Sequence, residues 1–266
     1  MSLCERYRVT AAGFYAWRRR GESAHAKQNR VLATEITRLF FLHKERYGSP
    51  RLYQLLVTAG WSVSRRRVAR LMRAAGLRAK AVRGYRAKVN IHHLYARHPN
   101  RLWETTVISP NQVWVGDITF LKVGSGWRYL AIVMDQYSRR ILSWTLTRRR
   151  TAAVTSTVLM LAARRRSTRG VIFHSDRGSE YMGAAFCACV TRLGMQQSAN
   201  VRGPGDNAYA ESFFHSLKAE LTRGVVFSTE RTLRTQLTQY IRYYNTIRLH
   251  SGLAYPSPLA FEQRLA

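Results

Sequence analysis

Acidic side chains are scarce in this 266-residue chain, with 14 Asp and Glu against 44 Lys and Arg and a formal net charge of +30. Three of them stand out by their surroundings. Asp117 interrupts the β-rich run from Gln112 to Leu121, Asp176 ends the apolar stretch that begins at Val171, and Glu211 lies just after Asp206-Asn207 and before Ser-Phe-Phe. An ionised carboxylate among apolar residues is costly unless it is paired or bound to a metal. Three carboxylates brought together repel one another and call for divalent cations. Hard oxygen donors that leave room for water suit Mg²⁺ or Mn²⁺. Two such ions about 3.5–4 Å apart stabilise both the attacking and the leaving oxygen of a phosphodiester substitution. The competing reading is that each acid only caps an element or pairs with an arginine. That reading is preferred for Asp135, with Arg139 or Arg140 as partner, and for Glu180 and Asp206.

The elements that would position the trio lie in the second half of the chain. The runs 112–121, Trp127 to Asp135 and Ile141 to Leu146 predict three strands joined by short turns, hence an antiparallel meander. An amphipathic helix over Thr151 to Arg164, a short buried strand at Val171-Ile172-Phe173, a helix near 184–193 and a strand near 195–198 follow. After the Gly203-Pro204-Gly205 loop, Asp206-Asn207 caps a helix running to about Leu221. Three antiparallel strands and then alternation match a ribonuclease H-like core, a mixed five-stranded sheet with flanking helices. In that order the first and fourth strands lie side by side and bring Asp117 to Asp176, with Glu211 on a helix beside them. His174 shares a strand face with Asp176 and could orient a ligand or make a structural hydrogen bond.

The first half reads differently. Val31, Leu32, Ile36, Leu39, Phe40 and His43 recur at helical spacing. Ser49 as N-cap and Pro50 at the first helical position predict a helix to Thr58, stopped at Ala59-Gly60. Ser64 caps a second helix, Arg65 to Ala75, ended by Gly76. This is a helix–turn–helix pattern, and its second helix opens with Arg65, Arg66 and Arg67 at the end that usually faces DNA. The bland alternative is a helical hairpin with a solvated basic face. Domains are therefore expected at 1–77 (helical), 78–107 (a basic linker holding Arg78, Lys80, Arg83, Arg86, Lys88, Arg97 and Arg101) and 108–266 (the core).

The net charge attracts polyanions, and each phosphate that a Lys or Arg neutralises releases counterions, so nucleic acid is the expected partner. No apolar run approaches the ~18 residues of a membrane span, and Met1 to Arg20 has no secretory pattern, so a cytoplasmic location is expected. Cys4, Cys187 and Cys189 make no disulfide framework, and Cys187-x-Cys189 has neither zinc-knuckle nor redox spacing.

The strings Asn111-Gln-Val-Trp-Val-Gly-Asp-Ile-Thr119, His174-Ser-Asp-Arg-Gly-Ser-Glu-Tyr181, Asp206-Asn-Ala-Tyr-Ala-Glu-Ser-Phe-Phe-His-Ser-Leu-Lys218 and Tyr244-Asn-Thr-Ile-Arg-Leu-His-Ser-Gly-Leu-Ala-Tyr-Pro-Ser-Pro258 resemble the catalytic core shared by retroviral integrases and bacterial insertion-sequence transposases. With Tyr47-Gly-Ser-Pro-Arg51 and Arg70-Leu-Met-Arg-Ala-Ala-Gly-Leu77, the resemblance narrows to OrfB-type transposases and covers nearly the whole chain. It implies that Asp117, Asp176 and Glu211 are catalytic metal ligands for two Mg²⁺ or Mn²⁺ ions. It also implies that Lys218, two turns beyond Glu211 on the same helix face, contacts the end of the element's DNA. The implied activity is cleavage and strand transfer at the ends of a mobile element, on double-stranded DNA, by a homo-oligomer with or without an OrfA-type partner. The head begins where OrfB products begin, and no OrfA segment is expected in it. Two departures are visible. The step from Asp176 to Glu211 is 35 positions, one short of most relatives, and Glu180 stands where Gln is common. The His/Cys zinc module of retroviral integrases is absent, and the helix–turn–helix takes its place. Tyr243, Tyr244, Asn245, Arg248 and His250 are read as packing and phosphate contacts. A non-catalytic DNA-binding regulator and a nuclease of the same fold are the alternative functions.

Overall fold

A computed structural model describes residue 7 and residues 9–80, 98–200 and 207–265, and the chain divides into two units, Met1–Lys80 and Ala81–Ala266. The first unit is helical. Helix α1 (Ala11–Arg19) is capped by Thr10 and buries none of its residues. Helix α2 (Ala24–Leu42) buries Leu32, Ile36, Leu39 and Phe40, spaced three and four apart so that they form one stripe. That stripe packs on α3 (Ser49–Thr58) and α4 (Arg65–Ala74), which bury Leu52 and Leu56, and Val68 and Met72. The predicted cap at Ser49 moves back to Gly48, because Ser49 is itself the first helical residue. Ser64 caps α4 as expected, its hydroxyl accepting from the Arg67 amide at 3.2 Å. Gly60 and Gly76 follow α3 and α4 at φ +85° and +67°, left-handed positions that glycine takes without a Cβ penalty.

The second unit is built on one mixed sheet. Strands β1 (Val113–Val123), β2 (Gly126–Asp135) and β3 (Ile141–Thr147) form the antiparallel meander. Strands β4 (Ile172–Ser175) and β5 (Gln196–Ala199) add in parallel on the other side of β1, giving the order β3-β2-β1-β4-β5. This is the expected ribonuclease H-like arrangement. Strand β4 starts and ends later than the predicted 171–173, so His174 and Ser175 lie inside it. Helices α5 (Ala152–Ala163), α6 (Ser179–Met182) and α7 (Ala184–Arg192) cover one face, over Trp114, Ala131, Val133, Leu142 and Phe173. Helices α8 (Ala208–Leu217) and α9 (Glu230–Thr246) cover the other, over Val113, Val115, Leu121, Leu130 and Ile132. Even and odd residues of β1 thus feed separate cores, as the two-residue period of a strand requires. Helix α8 stops at Leu217, short of the expected Leu221, and continues as a wider π turn over Lys218–Thr222.

Several expected polar contacts are replaced by others. Asp135 is fully buried and takes neither Arg139 nor Arg140 as partner. Its carboxylate accepts the amides of Asn111 (2.7 Å), Tyr137 (3.0 Å) and Ser138 (2.9 Å), and its nearest arginine is Arg166 at 3.9 Å. The turn after β2 supplies two of these amides and the segment before β1 the third, which is cheaper than recruiting an arginine into the core. Arg140 and Arg166 instead meet Glu262 of α10 (Pro258–Gln263), each at 2.6 Å. Arg248, read as a phosphate contact, is buried in an ion pair with Glu220 at 2.7 Å. Residues 98–107, assigned to the linker, include a short 3₁₀ turn, Arg101–Glu104. There the Ala199 amide donates to the Pro99 carbonyl (3.2 Å) and the Arg101 amide to the Ser198 hydroxyl (3.0 Å). The linker residues Arg83, Arg86, Lys88 and Arg97, the Gly203–Gly205 loop, Asp206 and Cys4 lie outside the described residues.

Candidate active site

Strands β1 and β4 run parallel with Val115 opposite His174. Carrying that register two residues further sets Asp117 opposite Asp176, just past the end of β4, across the ~4.8 Å that separates neighbouring strands. Gly116 makes the approach possible, since a Cβ there would collide with the Phe173 ring. Glu211 comes from the first turn of α8, which packs on β1 through Ala210, Phe213, Phe214 and Leu217. The Asn207 side chain fixes where that helix begins. It does not cap the helix; its amide nitrogen donates to the Gly116 carbonyl at 3.1 Å, tying α8 to β1 one residue from Asp117.

The carboxylates feel one another. Burial pushes the Asp117 carboxyl up to about 8, with repulsion from Asp176, Glu211 and Glu180 adding to it and the Ile118 amide (2.7 Å) partly offsetting it. Burial also raises Glu211. The Asp176 carboxylate accepts the Gly178 amide at 3.0 Å. Each aspartate is thus held by its own backbone. Among the described residues no group of three His, Cys, Asp or Glu side chains stands at metal-ligand spacing.

Sequence reasoning leaves Tyr181 without a role, gives Asn207 only a cap, and favours a structural role for Glu180 while placing its extra charge near the metal site. Glu180 is 3% exposed, pairs through Oε1 with Arg150 Nε at 3.3 Å, and adds its charge to the site. Tyr181 is raised well above the usual phenol range by burial and then by Asp117, Asp176 and Glu180. Among the described residues, Glu180 Oε2, the Tyr181 hydroxyl and Asn207 Oδ1 are buried without a hydrogen-bond partner. Orphaned polar atoms beside a cluster of acids fit a site that takes a charged ligand. Their strings could have flagged them, since Glu180 and Tyr181 follow Asp176 and Asn207 precedes Glu211.

The remaining candidates fall on both sides of the expectation. His174 is fully buried, with Nδ1 2.8 Å from the Ser198 hydroxyl and Nε2 2.6 Å from Asn200 Oδ1, so both nitrogens join β4 to β5. Lys218 is half-buried. Burial lowers its ammonium and Asp117 raises it, and Nζ lies 4.8 Å from the Phe120 ring centroid. In the first unit Arg65 and Arg66 are exposed, whereas Arg67 donates to Asn29 Oδ1 at 2.8 Å and braces α4 on α2.

Comparison with known proteins agrees along the whole chain. Family models described as integrase core domain match residues 108–203 and 211–265, and one described as an HTH-like domain matches residues 27–85. Transposase InsF for insertion sequence IS3A of Escherichia coli (strain K12) is 36% identical over 269 residues, covering 99% of this chain and 93% of the relative. The transposase for insertion sequence element IS904 of Lactococcus lactis subsp. lactis (strain IL1403) is 34% identical over 250 residues, covering 92% and 98%. Among solved structures, the HTLV-2 integrase catalytic core domain in complex with magnesium is similar at 16% identity and a TM-score of 0.46, over 58% of this chain and 98% of that one.

Proposed function

The chain belongs to the family of insertion-sequence transposases with an integrase core, and from that membership we propose that it cleaves and joins DNA strands at the ends of a mobile element, with Asp117, Asp176 and Glu211 holding two Mg²⁺ or Mn²⁺ ions. The observation that carries the reading is the Asp117 carboxyl, pushed up to about 8 by burial and by three further acids. An all-carboxylate donor set suits hard divalent cations, and the orphaned polar atoms of Glu180, Tyr181 and Asn207 leave acceptors and a donor for ligand water. When bound, such ions supply Lewis acidity and an activated water. A pure DNA-binding regulator would have no use for a repelling acid cluster in a chain of charge +30.

The protein's own part is positioning and charge. Asp117 and Asp176 present their free oxygens from adjacent strands, and Asn207 holds α8 so that Glu211 faces them. Lys218 presents an ammonium donor to a phosphate or base edge near the reacting centre, since a charged ammonium has no lone pair for a metal. No protein nucleophile is required, because water and then the freed 3′-hydroxyl attack in turn. Arg65 and Arg66 on the HTH-like unit hold the DNA backbone. The division of labour follows domain limits of 1–77, 78–107 and 108–266, with residues 98–107 of the linker bonded to β5 and so carried with the core. Joining two element ends calls for two such sites, hence a homo-oligomer on double-stranded DNA, with or without an OrfA-type partner. No described helix is long and apolar enough to cross a membrane, and a cytoplasmic location fits a DNA substrate.

The test is strand cleavage of an element-end duplex in Mg²⁺. Asp117→Asn, Asp176→Asn and Glu211→Gln should each abolish cleavage and leave duplex binding near the wild-type level. Full cleavage by any one of them removes that residue from the assignment.

A further inference from the structure

The β1–β2 hairpin carries two large aromatic side chains that the rest of the fold leaves open. Phe120 is 55% exposed and Trp127 50% exposed. Their ring centroids are 5.1 Å apart at an interplanar angle of 85°, an edge-to-face pair. The strand register places Phe120 opposite Tyr129 and Lys122 opposite Trp127, so these four share one face of the ribbon. The opposite face is covered, with Leu121, Val123 and Leu130 in the core beneath α8 and α9. The open face is also cationic, with Lys218 Nζ 4.8 Å from the Phe120 centroid and Lys122 exposed beside it. Phe120 is three residues along β1 from Asp117, about 10 Å at a strand's rise, and the two-residue period sends its ring to the opposite face of the sheet from the Asp117 carboxyl.

We infer that Phe120 and Trp127 form a stacking platform for an unpaired DNA base on the sheet face opposite the Asp117 carboxyl, reached round the edge of β1 that β4 accompanies only as far as Val115, with Lys122 and Lys218 on its backbone. The inference rests on the reading of Asp117 as part of a DNA-cleaving site and adds the conformation in which the DNA end is held. An aromatic face flanked by ammonium groups suits a base and its phosphate, since every base has a π-face and the phosphate answers the charge. The same face of a second copy is the wrong partner on charge, because it would set Lys122 and Lys218 against their own counterparts. Bases inside an intact duplex are stacked on one another and cannot offer a face, so the occupant is a base splayed from the end. The ~10 Å along β1 and the turn round its edge together span about two nucleotides from the phosphate held at Asp117.

The experiment compares the full chain's affinity for a blunt duplex and for the same duplex with two unpaired terminal nucleotides, in Ca²⁺. The wild type should prefer the unpaired end, and Phe120→Leu with Trp127→Leu should lose roughly tenfold on it and little on the blunt duplex. Phe120→Trp should keep the preference, and Phe120→Leu alone should not, because stacking needs a ring and not merely apolar area. An equal loss on both duplexes, or none, overturns the platform. So does a wild-type oligomer that falls apart in the double variant with unpaired-end binding unchanged, which would mark the face as a contact between copies. Cleavage in Mg²⁺ separates this inference from the one beneath it. A chain that prefers the unpaired end but never cleaves keeps the platform and loses the catalytic reading, and one that cleaves without the preference does the reverse.

Discussion

Replacing Asp117 by Asn should make the metal-free protein more stable at pH 8 and leave it little changed near pH 4. Asp117 is raised to about 8 in the folded chain from an ordinary value of 3.8, the reverse of the usual carboxylate shift. The folded state therefore keeps a proton that the unfolded chain has released. The stabilisation that proton gives is full below about 3.8, falls as pH rises, and is lost once pH passes about 8. Four units at ~1.4 kcal/mol each set a ceiling of about 6 kcal/mol. The carboxyl keeps a partial path to solvent, and halving for that screening leaves ~3 kcal/mol. In a domain of this size ~1 kcal/mol moves Tm by about 2–4 °C, so the variant should melt roughly 6–12 °C above wild type at pH 8. The assay is thermal unfolding in EDTA across pH 5–8, wild type beside Asp117→Asn, so that other titrations cancel. Adding Mn²⁺ at pH 8 should close the gap from the wild-type side, because a bound cation replaces the proton and metal affinity rises as its ligand deprotonates. Parallel curves for the two proteins from pH 5 to 8 would refute the argument, since Asp117 would then not be holding a proton against its neighbours.

The other expectations are simpler. Arg65→Ala with Arg66→Ala should flatten the salt dependence of duplex binding by roughly two phosphate contacts, at ~0.9 in log–log slope for each. Arg67→Ala should mainly lower the stability of the first unit, read by its melting, because that guanidinium holds Asn29. Lys218→Ala should cost on the order of tenfold in joining a correct end, the worth of one charge-assisted hydrogen bond. Its Mn²⁺ affinity should not fall, and a fall would place Lys218 in the metal site. Arg248→Met should destabilise the second unit by about 3–5 kcal/mol in denaturant unfolding, because it leaves Glu220 buried and uncompensated. Adding Glu220→Gln should recover much of that, and no recovery would mean that the pair is not the source.

What the sequence makes legible here is what local patterns encode. Period-two runs marked β1 to β3, caps and glycines marked α3 and α4, and an acid set in an apolar strand marked Asp117. Contacts between residues far apart in sequence leave no such mark. Nothing near Arg248 says that Glu220, 28 positions earlier, will bury with it, so an exposed phosphate contact was the natural reading. Nothing near Asp135 says that two amides of the following turn and the Asn111 amide, 24 positions earlier, will converge on it, which is why an arginine is the natural expectation. The same limit applies to how Glu180 reaches the acid site. Strand order can set Asp117 beside Asp176, and Glu211, on a helix, is added by the resemblance. Glu180 joins them only through the chain reversal at Gly178, over which its carboxyl folds back so closely that a Cβ at Gly178 would meet it at 2.7 Å. That placement gives the Asp176–Glu180 turn a second role. The turn that positions Asp176 also brings in a fourth carboxylate, whose charge Arg150 only partly answers. With Gln at that position the repulsion on Asp117 would weaken, so Glu180 makes the empty site costlier and a divalent cation more strongly bound once the acids are ionised. On the two-ion reading proposed above, that charge acts first on a cation, and the net +30 of the chain is left to hold the DNA.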